Sequence, residues 1–470
     1  PTPEGKAEDL QPWTRSRLQS IMGNSDSAMV QKRMARFRPE ERTVIDGVFD
    51  RLQGGSGTNT GAEKSVKLEA LQASMGDLAS DSMVRRIYGC MCSIDPAQAA
   101  PADPGSTETT GAASGVDRER LLVFMADTLR GTAEERAPLV MVMSHNAAGV
   151  PGVVTCEQVS AFLQELICAV VQILTSRGRL RGWEPGQMGD TALGVRLLAE
   201  GWEPGQMGDT ALGVRLLAEQ LCSELRASEQ GTCDVSCVED WIFRVPQVSQ
   251  YLEILVAEGL NVSLNSWTAP TLLPPCKDTH WKDLKCLLDL PTLMFLAPQL
   301  PDSYSAPWRL VFSTHLHGES FTKMASGLMH HGPTVLLIKD TKGHVFGGFA
   351  SQAWEMKPQF QGDSRCFLFS VFPTLRVYTA TGYNEHFMYL NQHQQTMPNG
   401  LGMGGQHDYF GLWLDCDFGR GHSRARPRCT TYGSPQLSAD ENFTLDSVEV
   451  WAVGNPPQPA EGEEEEGKKS

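Results

Sequence analysis

The 470-residue chain reads as α+β, a helical first half followed by a strand-rich second half. Three observations carry this. Apolar residues recur at helical spacing from Pro39 to about Leu260. From Trp308 onward, short apolar runs follow one another without alternating helices. Within that half, Asp340-Thr341-Lys342-Gly343 separates two such runs, residues 334–338 and 344–350, which is a hairpin pattern.

In chain order, Val44, Ile45, Val48, Phe49 and Leu52 share one face of a helix opened by Pro39, whose missing N–H is harmless at the first helical position. Met83, Val84, Ile87, Tyr88 and Met91 repeat the pattern, as do Leu121, Leu122, Met125 and Leu129. Residues 95–114 are rich in Pro, Ala, Gly, Ser and Thr and predict a loop. Thr155 and Gln158 form a capping box ahead of Val159, Phe162, Leu163, Leu166, Val170 and Leu174. Pro246 breaks the chain between helices carrying Trp241 and Leu252. Strands are expected at 309–312, 334–338, 344–350, 365–371, 375–379, 386–390, Tyr409–Asp415 and 447–453, with a helix at 319–328.

Residues 182–200, GWEPGQMGDTALGVRLLAE, recur letter for letter at 201–219. Two copies are too few for a solenoid, and identity without drift points to a recent duplication or a misjoined gene model. Each copy has one helical half, 191–200 in the first, so the extra copy is expected to be a tolerated surface excursion. The resulting domain scheme has five parts. They are a leader and membrane-targeting segment (1–38), a helical domain (39–180), a helical linker region with the duplication (181–280), a strand-rich domain (281–454) and a disordered acidic tail (455–470).

The formal charge is −16, from 40 basic and 56 acidic side chains. Residues 39–307 carry most of the acidity, with 35 acidic against 20 basic side chains. An acidic body argues against nonspecific nucleic-acid binding, which needs a basic face. No run of 18 uncharged apolar residues occurs, and the longest apolar helical stretch, 166–176, is short, so a membrane-spanning helix is not expected. No secretory signal is visible, so a cytoplasmic location with 12 reduced thiols is expected.

Met22-Gly23-Asn24-Ser25-Asp26-Ser27 fits the N-myristoylation pattern, which needs a free glycine amine. Residues 1–21 have no helical period and read as untranslated leader, which predicts a biological start at Met22. Lys32, Arg33, Arg36 and Arg38 form a basic cluster with no acid between Ser27 and Pro39. One acyl chain binds membranes marginally, and a polybasic patch on an anionic surface is a usual second signal. A solvated helix lead-in explains the same four residues without a membrane.

Gly400-Leu401-Gly402-Met403-Gly404-Gly405 satisfies G-x-G-x-x-G, but no helix is expected after it, so a glycine-rich turn is preferred to a dinucleotide site. His315, His317, His330 and His331 lack metal-ligand spacing, and Cys233-x3-Cys237 and Cys90-x-Cys92 lack second pairs. A calcium loop opening at Asp50 would place Leu52, Gly54 and Gly61 where oxygen ligands are needed. Arg420, His422, Arg424, Arg426 and Arg428 alternate at period two, so an extended chain would align them as a docking stripe for an acidic partner or an anionic headgroup. A solvated loop explains them equally well. No catalytic set, metal or cofactor is expected.

The second half resembles the TLDc domain family. The match runs through Gly332-Pro333-Thr334-Val335-Leu336-Leu337-Ile338-Lys339-Asp340, Val345-Phe346-Gly347-Gly348-Phe349-Ala350 and Trp354. It continues through Cys366-Phe367-Leu368-Phe369, Tyr378, Thr381-Gly382, Gly402-Met403-Gly404-Gly405, Gly411-Leu412-Trp413-Leu414-Asp415 and Val448-Glu449-Val450-Trp451. The resemblance implies a non-enzymatic two-sheet antiparallel β-sandwich with flanking helices, preceded by a degenerate EF-hand-like region. It also implies links to oxidation resistance and to the vacuolar proton-pumping ATPase. The whole arrangement is most similar to a lysosomal member of that family. That likeness implies a peripheral adaptor on the lysosomal membrane, myristoylated at Gly23 and supporting mTOR signalling. The alternative is a redox protein acting through a thiol such as Cys366, Cys416 or Cys429.

Overall fold

In a computed structural model, the structure describes residues 27–54, 65–95, 115–145, 152–188, 212–302 and 304–454. Gly23, most of the 95–114 loop, the 191–200 helical half and the acidic tail lie outside the described residues. Two compact units result. One gathers the chain up to Met75, Val84–Val154 and Asp234–Thr268; the other gathers Gly76–Met83, Thr155–Cys233 and everything from Ala269. This division is not linear along the chain, because two helices from the 155–233 stretch pack with the strand-rich half.

The helices in chain order are α1 (Ala28–Met34), α2 (Pro39–Leu52), α3 (Leu68–Met75), α4 (Asp81–Ser93), α5 (Arg118–Arg130), α6 (Ala133–Ser144) and α7 (Cys156–Ser176). There follow α8 (Leu212–Cys222), α9 (Val235–Arg244), α10 (Pro246–Gly259), α11 (Leu290–Leu296), α12 (Thr314–His317) and α13 (Phe321–Met329). The capping box at α7 forms as expected, with Thr155 N–H on Gln158 Oε1 at 2.9 Å and Gln158 N–H on Thr155 Oγ1 at 3.2 Å. Pro246 opens α10 directly after α9. In the first unit α5 is central, touching α1, α2, α6 and α10, and its residues from Leu121 to Leu129 are all buried. An antiparallel bridge pairs Val66 with Val116, joining the stretch after α2 to the one before α5. Asp50 lies inside α2, so no loop opens there, because the apolar face of that helix continues through Leu52.

A helix of membrane length is nevertheless present. α7 has 21 residues and is long and apolar enough to cross a membrane by length and composition. It is a core helix here. Two thirds of its most apolar window is buried (67%), and its buried Glu165 accepts hydrogen bonds from the Ser80 and Ser82 hydroxyls. The single acid splits the apolar run in the sequence yet is satisfied in the interior.

The strands of the second half are β1 (Arg309–Ser313), β2 (Thr334–Asp340), β3 (Val345–Ala350), β4 (Lys357–Gln361), β5 (Phe367–Phe372), β6 (Arg376–Thr379), β7 (Met388–Asn391), β8 (Gly400–Gln406), β9 (Tyr409–Asp415), β10 (Arg420–His422) and β11 (Asn442–Ala452). They form one curled antiparallel sheet in the order β4-β7-β8-β9-β10-β11-β2-β3-β5-β6, with β1 also on β11. The family resemblance implied two sheets. Here the ladder is continuous, because the 11-residue β11 pairs with β10 through Asn442–Thr444 and with β2 through Leu445–Ala452. One core fills the curl, drawing Leu336, Phe346, Leu368, Met403, Leu412, Val448 and Val450 from the sheet and Met324 and Leu328 from α13.

The glycine-rich hexad is not a turn. It is β8, a central strand paired with β7 and β9. Flat aromatic rings explain its composition. A Cβ on Gly402 would fall 2.5 Å from the Phe410 ring, and one on Gly400 would fall 2.5 Å from Trp413. Another strand follows β8, so no helix N-terminus is presented to a pyrophosphate.

The duplication resolves into one useful unit. The first copy supplies Gly182–Met188 and the second supplies Leu212–Glu219 within α8. Upstream, Arg181 selects the first copy: its backbone carbonyl accepts from Cys276 N–H and its guanidinium bonds the Leu273 and Tyr304 carbonyls at 2.8 Å. Downstream, buried Leu221 continues the second copy, whereas Gly201 and Pro204 follow the first. Met188 and Leu212 are separated by 23 residues, and removing one 19-residue unit leaves four. Deleting residues 189–207 should therefore preserve the fold. If the shortened connection closes at lower entropic cost, it should stabilise the fold by on the order of 1 kcal/mol. A thermal melt checks this, and a loss of more than a few degrees in Tm means the extra unit is structural.

Candidate functional site

The basic cluster splits in two. Ser27 caps α1, its Oγ accepting from Val30 N–H, and Val30, Met34 and Phe37 are buried. This docking carries Arg33 inward, where Nε donates to Asp127 Oδ1 at 2.5 Å and Nη1 lies 3.0 Å from Glu135. Arg36 forks onto both oxygens of Glu135, at 2.7 and 2.5 Å. Lys32 and Arg38 stay exposed. Burial pushes the Asp127 carboxyl up, outweighing the hydrogen bond and charge of Arg33. Burial also pushes Glu135 up, but the Arg36 hydrogen bond, the Thr132 N–H and the two guanidinium charges together hold it below its ordinary value. Removing Arg33 leaves Asp127 buried without its main partner. Arg33→Ala should cost about 3 kcal/mol, while Arg38→Ala should stay within about 0.5 kcal/mol, by urea denaturation. Equal effects would mean the network does not hold α1.

The arginine stripe is real as far as Arg424, with buried Gly421 and Ser423 alternating against it, and each arginine has a local partner. Arg420 meets Asp417 at 3.3 Å. Arg424 reaches Glu441 at 3.3 Å, bonds the Asp408 carbonyl, and its guanidinium carbon lies 5.9 Å from the Tyr409 ring centre. Arg426 contacts both oxygens of Glu441 at 2.9 Å, and Arg428 bonds the Gly433 carbonyl at 3.0 Å. His422 stacks on Trp413, and burial, helped by the Arg424 charge, lowers its pKa to about 4, so it adds no charge near neutrality. Arg420, Arg426 and Arg428 remain exposed.

The thiols are poor nucleophiles. Cys366 is buried in the core, 3.3 Å from the Ser351 hydroxyl. Burial raises Cys429, and burial with the charges of Asp415 and Asp417 raises Cys416. A thiol must ionise to attack, which the surroundings of Cys416 and Cys429 oppose, while Cys366 is closed off from solvent.

Period-two reading misses the most unusual group, although Glu449 and Trp451 fall on one face of β11 while Val448 and Val450 enter the core. The Glu449 carboxylate is 2% exposed. It accepts from Leu287 N–H at 2.8 Å, Trp451 Nε1 at 3.1 Å and the Cys286 thiol at 3.5 Å. Trp451 belongs to a four-tryptophan cluster, its ring centre 5.3 Å from Trp183, 6.3 Å from Trp308 and 6.2 Å from Trp281. Trp183 Nε1 bonds the Pro274 carbonyl, and Trp281 Nε1 bonds that of Gly182. The only sequence signal was a lone acid in an apolar strand.

Burial raises Glu449 from 4.5 to about 7, with no cation to offset it. Its folded pKa exceeds its unfolded one, so its contribution is full below about pH 4.5 and is lost as pH rises to about 7. The loss is on the order of 3 kcal/mol. Urea titrations at pH 5 and pH 8 should show this decline in the native chain and its removal in Glu449→Gln. An unchanged pH dependence in the variant would assign the slope elsewhere.

Comparison with known proteins agrees with this architecture. Residues 282–454 match the TLDc domain family. Over 96% of its length the chain is 57% identical to "MTOR-associated protein MEAK7" of Danio rerio, covering 93% of that protein. It is 41% identical to the Homo sapiens protein of the same name, over 93% of the chain and 91% of the relative. "Oxidation resistance protein 1" of Bos taurus is 34% identical over 155 residues, 32% of this chain and 16% of that protein. This is a TLDc-domain protein. The chain belongs to the family of MTOR-associated MEAK7 proteins.

Proposed function

We propose that the chain is a non-enzymatic peripheral-membrane adaptor at the lysosome, whose TLDc domain binds the vacuolar proton-pumping ATPase and supports mTOR signalling. The observation that carries this is near-full-length likeness to proteins named for mTOR association. Gly23 acylation, with exposed Lys32 and Arg38, would hold it on an anionic membrane. Arg33 and Arg36 join them only where their pairs with Asp127 and Glu135 open. Arg420, Arg424, Arg426 and Arg428 are the partner-facing candidates, contributing chiefly through exposed Arg420, Arg426 and Arg428. The helical half is proposed as an EF-hand relative lacking calcium ligands, supported by the Val66–Val116 bridge between the stretch before α3 and the one before α5. The thiol alternative is weaker, since Cys366 is in the core and burial raises Cys416 and Cys429.

In cells, a chain starting at Met22 should fractionate with lysosomes, and Gly23→Ala should reduce that several-fold. The full chain should co-sediment with purified proton pump in detergent. Unchanged fractionation in the variant removes the acyl anchor, and absence of co-sedimentation removes pump docking.

A further inference from the structure

β11 is not covered evenly along its outer edge. β10 pairs with it through Asn442–Thr444 and β1 only from Glu449 to Ala452. Between them the Thr314 hydroxyl, rather than a strand, meets the Val448 N–H at 3.1 Å. The ladder to β2 is irregular at the same place, shifting register between Leu445 and Ser447 so that Asp446 is the extra residue. Bulges of this kind re-aim side chains and often adjoin binding sites. Here the gap opens into a half-open cavity of about 910 Å³ within the second unit. That volume lies in the range of ligand-binding clefts.

Its charged lining is mixed. Lys339 pairs weakly with Asp446 at 3.6 Å, both side chains partly solvated. Exposed Lys285 and Glu319 have no side-chain partner among the described residues. His315 completes the rim. A cavity carrying one unspent cation and one unspent anion selects against a simple anion or cation. The outward backbone groups of the gap are already bonded, Leu445 N–H to the Gly419 carbonyl and Val448 to the Thr314 hydroxyl, so an occupant is held by side chains; an extended peptide presents alternate side chains that can meet both charges.

We propose that this cavity is a docking site for an extended peptide segment of a partner protein, carrying an acidic residue for Lys285 and a basic residue for Glu319. The site requires neither the acyl anchor nor the proton pump, so it stands apart from the adaptor reading. The occupant lies along Asp446 and Ser447, in the space that a strand fills on either side.

The test uses the full chain. A phage-displayed library of random nine-residue peptides is panned against it, and enriched peptides are synthesised and titrated by fluorescence polarisation. Enriched sequences should carry both an acid and a base. Their affinity should fall at least tenfold in Lys285→Glu and in Glu319→Lys, and stay unchanged in Arg426→Ala. Because both residues are exposed, the variants should keep the native melt. The combined Lys285→Glu/Glu319→Lys chain should prefer peptides with the charge order reversed. Ser447→Trp, which fills the cavity, should abolish binding. The proposal is overturned if no peptide is enriched or if binding survives both single charge reversals. It is equally overturned if inorganic pyrophosphate, rather than peptide, binds in a Lys285-dependent way.

Discussion

The second unit depends on what β11 does with its two faces. Val448 and Val450 point into the common core, and Glu449 and Trp451 point the other way. Because β10, β1 and β2 all hydrogen-bond to this strand, it carries the sheet through its curl. Its outward face then needs a cover that satisfies a carboxylate. The backbone at Leu287 and the indole of Trp451 provide it, and Trp183, Trp281 and Trp308 close the apolar remainder. One buried acid thus ties the 286–288 stretch to the sheet, and the same cluster holds the start of the first repeat through Trp183. A hydrogen-bonded carboxylate without a cation is costly to ionise, so this tie is sensitive to pH near neutrality.

Among the described residues, several arginines that the sequence offers as binding candidates are spent on contacts inside their own unit. Arg33 and Arg36 look like a membrane signal in the sequence, yet they clamp α1 to carboxylates of α5 and α6. Arg420 in β10 and Arg426 after it face Asp417 and Glu441 in the same way. The difference between the two sites is exposure. The Arg33 pair is shielded from solvent and breaking it strands a buried charge, whereas Arg426 and its partner are screened by water.

Much of the architecture was legible because it is written in local patterns. The helical period of Val48, Phe49 and Leu52, the Thr155–Gln158 box, the Pro246 break and the Asp340–Gly343 hairpin each involve residues within a few positions of one another. Other features were not legible for the same reason. β8 reads as a turn because glycine signals turns, and only the rings of Phe410 and Trp413, which pack across the neighbouring strand, show why those positions tolerate no side chain. The apolar run of α7 reads as short because Glu165 interrupts it, and the partners that let this acid be buried, Ser80 and Ser82, are 85 and 83 positions upstream.

The amino-acid sequence by itself determined the order of helical and strand-rich halves, the element starts set by capping and proline, and membership in the TLDc family. Tertiary structure alone decided which charges are available. Arg33 and Asp127 are 94 positions apart, and Glu449 and Leu287 are 162 apart. No local rule relates such pairs. A side chain's freedom to bind a membrane or a partner depends on what folding brings within hydrogen-bonding reach, and on how much water it leaves there.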